Sequence, residues 1–272
     1  MSHMQDKSIL FERLMRFACA NGLNSEVEAL LKEGIDINAT DKLGFTPLYY
    51  ATLSNNPETI ALLAQNGANL NALDKSKRTP LHHAALGGKN ESAKALIQCG
   101  ADMNAQDKKG FSPAHMACAR HNREMITLLA IHGADLSLQD KYGQTPLHWA
   151  SFYGNPQVVQ TLIHEGADID KTNFKGQSAL EYAILTGHKE AAQMLLDLGA
   201  NPNIQNQKGI SASHLIHQKN GFSDLLPAET LQNQALAQNT PHITENLSNH
   251  AQKINQNFDK NLLTNRQLNR TV

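Results

Sequence analysis

Shifting the sequence by 33 residues lays it over itself, and this periodicity narrows the possible folds more than any other feature. Asp41-Lys-Leu-Gly-Phe-Thr-Pro-Leu-Tyr returns as Asp74-Lys-Ser-Lys-Arg-Thr-Pro-Leu-His, then from Asp107 and Asp140, and in weaker form from Asn173 and Asn206. A second motif, Gly-Ala-Asp or a close variant, starts at Gly34, Gly67, Gly100, Gly133, Gly166 and Gly199. Residues 8–40 fit as an N-terminal copy that lacks the front motif. A unit this short cannot bury its own apolar faces, so copies must stack in a row.

Within each unit, Thr46, Thr79, Ser112, Thr145, Ser178 and Ser211 stand where a helix N-cap is wanted. Proline follows at 47, 80, 113 and 146, the first helical position, where a missing N–H costs nothing. The spacing predicts a first helix of about ten residues, ending at Gly22, Asn55, Gly88, His121, Gly154 and Gly187. Glycine accepts the left-handed stop freely and asparagine tolerates it, so His121 is expected to be slightly strained. A second helix follows, with leucine at one place in every copy: Leu30, Leu63, Leu96, Leu129, Leu162 and Leu195. Small residues such as Ala84-Ala85, Ala117-Cys118 and Ala150-Ser151 allow neighbouring first helices to approach closely.

These motifs resemble the ankyrin-repeat family, whose unit reads Asp-x-x-Gly-x-Thr-Pro-Leu-His-x-Ala-Ala and ends in Leu-Leu-x-x-Gly-Ala-Asp. The resemblance spans about residues 8–225. It implies an all-α solenoid of helix-turn-helix units with β-hairpin-like tips. The divisions are residues 1–7 as a disordered N-terminus or vector-derived remnant, 8–40 as a capping repeat, and 41–205 as five full repeats. Residues 206–226 form a degenerate last repeat, in which Ser213 replaces the core leucine and Pro227 interrupts the second helix. Lys77 stands in place of the turn glycine, so that tip is expected to be distorted.

The remaining 227–272 are rich in Asn and Gln, yet Ile243, Leu247, Ala251, Ile254, Phe258 and Leu262 keep helical spacing after Thr240-Pro241. An amphipathic helix over 241–263 is predicted, preceded by a shorter one over 228–237. Such a tail either covers the end of the stack, binds a partner, or serves as a largely disordered export signal.

Enzymatic chemistry has no residues to stand on. His82, His115 and His148 recur three positions after the capping hydroxyl, where the ring reaches back to the cap as a capping-box side chain does. Adjacent copies lie about 8–10 Å apart, so these rings cannot share one metal ion. Cys19 and Cys118 fall on the small-residue positions, read as buried and inert, with Cys99 more exposed; three cysteines give no disulfide framework and suit a reducing compartment. No nucleophile triad, paired carboxylates or phosphate-cradling loop is present. Neither a cofactor nor a metal is expected.

The resemblance implies partners bound on a concave face built from hairpin tips and exposed first-helix residues. Transferred by position, this selects Phe45, Arg78, Phe111, Arg120, Tyr142, Phe152, Tyr153 and Phe174, together with Lys42, Lys75, Lys108 and Lys141, which form a ladder along successive tips. Leu43, Leu86, Gln144 and Gln177 belong to the same set of variable positions. Tyr142, Phe152 and Tyr153 are expected to be exposed contact residues, and Trp149 to pack between repeats. Asp41, Asp74, Asp107 and Asp140 stand beside the ladder lysines and partly neutralise them.

With 24 basic and 25 acidic side chains the net charge is −1, which argues against a general nucleic-acid binder. No apolar run long enough to span a bilayer occurs. The expectation is a non-catalytic, cytoplasmic scaffold for a protein partner, an acidic one where it meets the lysine ladder, with no nucleic-acid, membrane or small-molecule role. The alternative rests on composition, which resembles ankyrin proteins that intracellular bacteria export into host cells. There the repeats would engage a host protein and the tail would carry the export signal or a second binding helix.

Overall fold

A computed structural model describes residues 12–226; the expectations for 1–7 and for the tail from Pro227 onward fall outside the described residues. The described chain is helical, in the repeated helix pairs that the resemblance implies, and divides into two compact units at Lys141 and Tyr142.

The first unit holds four helix pairs. They are α1 (12–20) with α2 (Asn24–Lys32), α3 (Pro47–Leu53) with α4 (Pro57–Gln65), α5 (Pro80–Gly87) with α6 (Asn90–Gln98), and α7 (Pro113–Ala119) with α8 (Arg123–Ile131). The second unit holds α9 (Pro146–Tyr153) with α10 (Pro156–His164) and α11 (Ala179–Thr186) with α12 (Lys189–Asp197). It closes with α13 (Ala212–Gln218) and a 3-10 turn, Ser223–Leu225. First helices pack on first helices, α3 on α5 on α7 and, in the other unit, α9 on α11 on α13. Second helices do the same, as in α4 on α6 and α10 on α12.

Local chemistry explains each helix. Thr46, Thr79, Ser112, Thr145, Ser178 and Ser211 are the observed N-caps, all in extended conformation. First helices run seven or eight residues, shorter than the predicted ten, because the left-handed residue lies beyond the last helical turn. Asn55 and His121 do adopt that conformation, with φ of 60° and 56°. Lys77 also takes it, at φ 60°, and so corrects the expected distortion of its tip. Lys77 N–H donates to the Asp74 carbonyl at 2.9 Å and Asp74 N–H to Arg78 at 3.0 Å, matching Gly110 to Asp107 (2.9 Å) and Asp107 to Phe111 (3.0 Å). The turn keeps its shape because a left-handed lysine costs only about 1–2 kcal/mol.

Leu63, Leu96, Leu129, Leu162 and Leu195 are fully buried, whereas Leu30 of the N-terminal copy is only half-buried. Ala84, Ala85, Ala117, Cys118, Ala150 and Ser151 are buried without exposed surface, which permits the close approach of first helices. In the last copy, buried Ser213 satisfies its hydroxyl with Ser211 at 2.8 Å and Asn203 at 3.1 Å. A further row of bonds joins the loops after the second helices: Asn69 N–H donates to Asn38 Oδ1, Asp102 to Asn71 and Asp135 to Asn104, at 2.8–2.9 Å. Among the described residues no helix is long and apolar enough to cross a membrane.

Candidate functional site

Each hairpin tip begins with Asp or Asn, and its side chain organises the turn. Asp74 Oδ1 accepts from the N–H groups of Ser76 (2.7 Å) and Arg78 (2.9 Å), and Asp41 and Asp107 repeat the arrangement in their own tips. The turn then divides its side chains by position. Positions two and three are exposed in all six copies: Lys42 and Leu43, Lys75 and Ser76, Lys108 and Lys109, Lys141 and Tyr142, Phe174 and Lys175, Gln207 and Lys208. Position five is buried at Phe45, Arg78, Phe111, Gln144 and Gln177, and half-buried at Ile210.

This division corrects the expected exposure of several candidates. Position five directly precedes the N-cap, where a side chain folds back over the first turn of its helix as a hydrophobic staple. Phe45 stacks on Tyr49 with ring centroids 3.6 Å apart and meets Tyr50 edge-on at 6.4 Å. Phe111 lies against His115 at 5.9 Å. Arg78 turns inward and its Nε donates to Asp107 Oδ2 of the next tip at 3.2 Å, with both side chains buried. Gln177 donates to Glu181 at 2.9 Å, and Gln144 donates to the Tyr182 hydroxyl.

On the first helices, Phe152 is buried against Trp149 and Tyr153, Leu86 is buried, and Tyr153 is half-buried. Trp149 is buried in keeping with a packing role. Arg120 is exposed. Of the selected aromatics, Tyr142 and Phe174 carry open surface, at 52% and 62% exposure, and they are neighbours: Phe174 N–H donates to the Tyr142 carbonyl at 3.2 Å. Lys42, Lys75, Lys108 and Lys141 are all exposed. Position-dependent burial was readable in principle from the staple signature, which places Phe45 opposite Tyr50 in sequence.

Buried polar residues beneath the tips are structural. In the four histidine copies, Nδ1 accepts from the cap N–H: Thr79 to His82 (3.2 Å), Ser112 to His115 (3.1 Å), Thr145 to His148 (3.2 Å) and Ser211 to His214 (3.3 Å). The opposite nitrogen of His82 donates to the Phe111 carbonyl at 2.8 Å, and that of His148 to Gln177 at 2.9 Å. These partners assign the neutral tautomer with the proton on Nε2. Burial pushes both rings down to a pKa of about 4. The following residue, His83, links Tyr49 and Asp74: Tyr49 donates to Nδ1 at 3.4 Å, and Nε2–H donates to Asp74 Oδ2 at 2.8 Å. Burial lowers the His83 pKa. Burial also pushes Asp74 upward, but the bonds from His83, Arg78 and Ser76 outweigh it and hold the carboxyl below its ordinary value.

In this Tyr-His-Asp chain the tyrosine and the histidine are buried and Asp74 is half-buried. Burial raises the thiol of Cys19 to about 12 and that of Cys118 upward as well, the opposite of an activated nucleophile. Cys99 is half-buried. Among the described residues no group of histidine, cysteine and carboxylate side chains is arranged to hold a metal ion. The arrangement presents the exposed side chains of tip positions two and three on a hydrogen-bonded turn backbone.

Comparison with known proteins follows the same line. The family profile described as "Ankyrin repeats (3 copies)" matches residues 14–107, 84–173 and 115–206. The solved ankyrin repeat domain of Bcl-3, described as a unique member of the IkappaB protein family, is 26% identical with a TM-score of 0.70. That alignment covers 74% of this chain and 92% of the Bcl-3 chain. No curated protein sequence matches.

Proposed function

The chain belongs to the ankyrin-repeat family, a protein-interaction fold, and on that premise we propose that it is a non-catalytic scaffold holding a protein partner against its hairpin tips. The observation that carries this reading is the uniform exposure of tip positions two and three, which places Tyr142 and Phe174 side by side in solvent. Exposed aromatic surface on a rigid backbone suits an interface anchor, because little freedom is lost when a partner covers it. The tips are rigid for a local reason: Asp41, Asp74, Asp107, Asn173 and Asn206 each hold their own turn amides. Exposed lysines beside the aromatics favour an acidic partner and speed encounter.

The test uses the full chain as bait. Captured proteins are identified by mass, and their affinities are measured again against the purified chain and its Tyr142→Ala/Phe174→Ala variant. At least a tenfold loss of affinity at unchanged melting temperature is expected. A folded double variant that binds as well as the parent overturns the anchor assignment.

A further inference from the structure

We propose that the tip lysines of the first unit bind an extended, acidic protein segment carrying a carboxylate at about every third residue. The inference rests on the scaffold reading above and names the partner chemistry which that reading leaves open.

Six exposed lysines stand on four successive tips: Lys42, Lys75, Lys77, Lys108, Lys109 and Lys141. Among the described residues none of them forms an ion pair; the ion pairs found involve Arg16, Arg78, His83 and Lys189. The aspartates that stand beside them in sequence are spent on the fold. Asp41 gives Oδ1 to two turn amides and Oδ2 to the Tyr50 hydroxyl at 2.7 Å. Asp74 gives Oδ2 to His83, and Asp107 gives Oδ2 to Arg78, which already neutralises it. Asp140 is buried, at 3% exposure. The tip row of this unit therefore keeps a net positive charge, six lysines and Arg78 against four aspartates, and Asp41, Asp74 and Asp107 have both oxygens engaged within the fold.

Backbone contacts fix the lysine spacing. Lys108 N–H donates to the Ser76 carbonyl at 2.9 Å, and Lys141 N–H to Lys109 at 3.0 Å. Gly44 packs on the backbone of Asp74 and Lys75, and Gly110 on that of Asp140 and Lys141. Successive tips thus advance with the stacked helices beneath them, about 8–10 Å per repeat. A segment in the polyproline II conformation advances about 3.1 Å per residue with three residues per turn, so every third side chain lies on one face and one turn covers one repeat. A segment of about ten residues with acidic side chains in that period meets one lysine row after another. Lysine serves this purpose as a flexible point charge that needs no bidentate geometry. Single-stranded nucleic acid fits less well, since Phe45 and Phe111, the tip aromatics of this unit, are buried and offer no stacking platform.

The experiment measures fluorescence anisotropy with the full chain and three labelled probes. One peptide carries glutamate at positions 1, 4, 7 and 10 of a Ser/Gly background, the second carries the four glutamates contiguously, and the third probe is a single-stranded oligonucleotide. The protein is compared with its Lys42→Gln/Lys75→Gln/Lys108→Gln/Lys141→Gln variant, checked for an unchanged melting temperature. The spaced peptide is expected to bind at least tenfold tighter than the contiguous one. It should lose at least tenfold in the quadruple variant, and again when salt is raised from 50 to 250 mM. Equal binding of the two peptides, binding that survives the quadruple substitution, or tighter binding of the oligonucleotide overturns the proposal. If the quadruple variant still captures the cellular partner while the Tyr142/Phe174 variant does not, the scaffold reading stands and this inference falls. If neither variant loses capture, the scaffold reading itself falls.

Discussion

The Nε2–H of His82 donates to the main-chain oxygen of Phe111 at 2.8 Å while Nδ1 of the same ring accepts from the Thr79 N–H at 3.2 Å. One imidazole thereby closes the start of its own helix and holds the tip of the next repeat. His148 does the same between Thr145 and the Gln177 carbonyl. Both functions require a neutral ring, so the joints between repeats are sensitive to protonation.

The first prediction is acid lability. His82 and His148 titrate near 4 when folded, against about 6.5 when unfolded, so between those values the unfolded chain binds more protons. Their stabilising contribution is complete above pH 6.5 and disappears as pH falls through 4. Between pH 7 and 5 the loss is about 2 kcal/mol for each histidine, read as a falling urea midpoint. His148→Gln should flatten this slope; an unchanged slope in that variant would remove His148 from the account.

A second prediction concerns the copy in which a glutamate replaces the histidine. Glu181 is buried; its Oε1 accepts from Gln177 and Asn206, but Oε2 has no hydrogen-bond partner, and burial raises its pKa. By position, a histidine here would reach the Ile210 carbonyl, as His148 reaches Gln177. Glu181→His should therefore stabilise the second unit by about 1 kcal/mol at pH 7, seen as a higher denaturation midpoint. A lower midpoint would show that the two amide bonds to Oε1 outweigh the orphaned oxygen.

Glycines at equivalent φ should differ sharply in tolerance. Gly34 has φ 79° with nothing within 4 Å of an added Cβ, so Gly34→Ala costs only left-handed strain, about 1 kcal/mol. At Gly110, φ 81°, the same Cβ would lie 2.9 Å from Lys141 N and 3.0 Å from Asp140 Cα. Backbone cannot yield as a side chain does, so Gly110→Ala should cost about 3 kcal/mol or more. Comparing the two melting temperatures checks the difference.

Burial likewise separates two aromatic classes that look alike in sequence. Phe152→Ala removes a packed ring and should lower stability by about 3 kcal/mol. Phe174→Ala, at a residue 62% exposed, should leave thermal unfolding within about 0.5 kcal/mol of the parent. Equal effects on unfolding would contradict the observed packing.

Helix positions, caps, left-handed stops and five of the six core leucines were legible in the sequence, because each depends on neighbours within one turn or on a spacing repeated six times. The candidate surface was legible only in part. Lys42, Lys75, Lys108, Lys141, Arg120, Tyr142 and Phe174 were selected by position and are exposed, whereas Phe45, Arg78, Phe111 and Phe152 were selected by the same reasoning and are buried. Variation among copies suggests a free surface. At position five it reflects instead a slot that accepts a phenylalanine, an arginine or a glutamine, each packed or bonded in its own way.

The sequence alone determined the 33-residue unit and hence the stacked fold, since turn φ angles, caps and helical periodicity are local properties of the chain. The tertiary structure decided which tip side chains face solvent and that Asp107 gives its second oxygen to Arg78. Those outcomes hang on residues 29 to 34 positions away, as Arg78 on Asp107 and Tyr49 on His83, and no local rule orients a side chain toward a partner in another repeat.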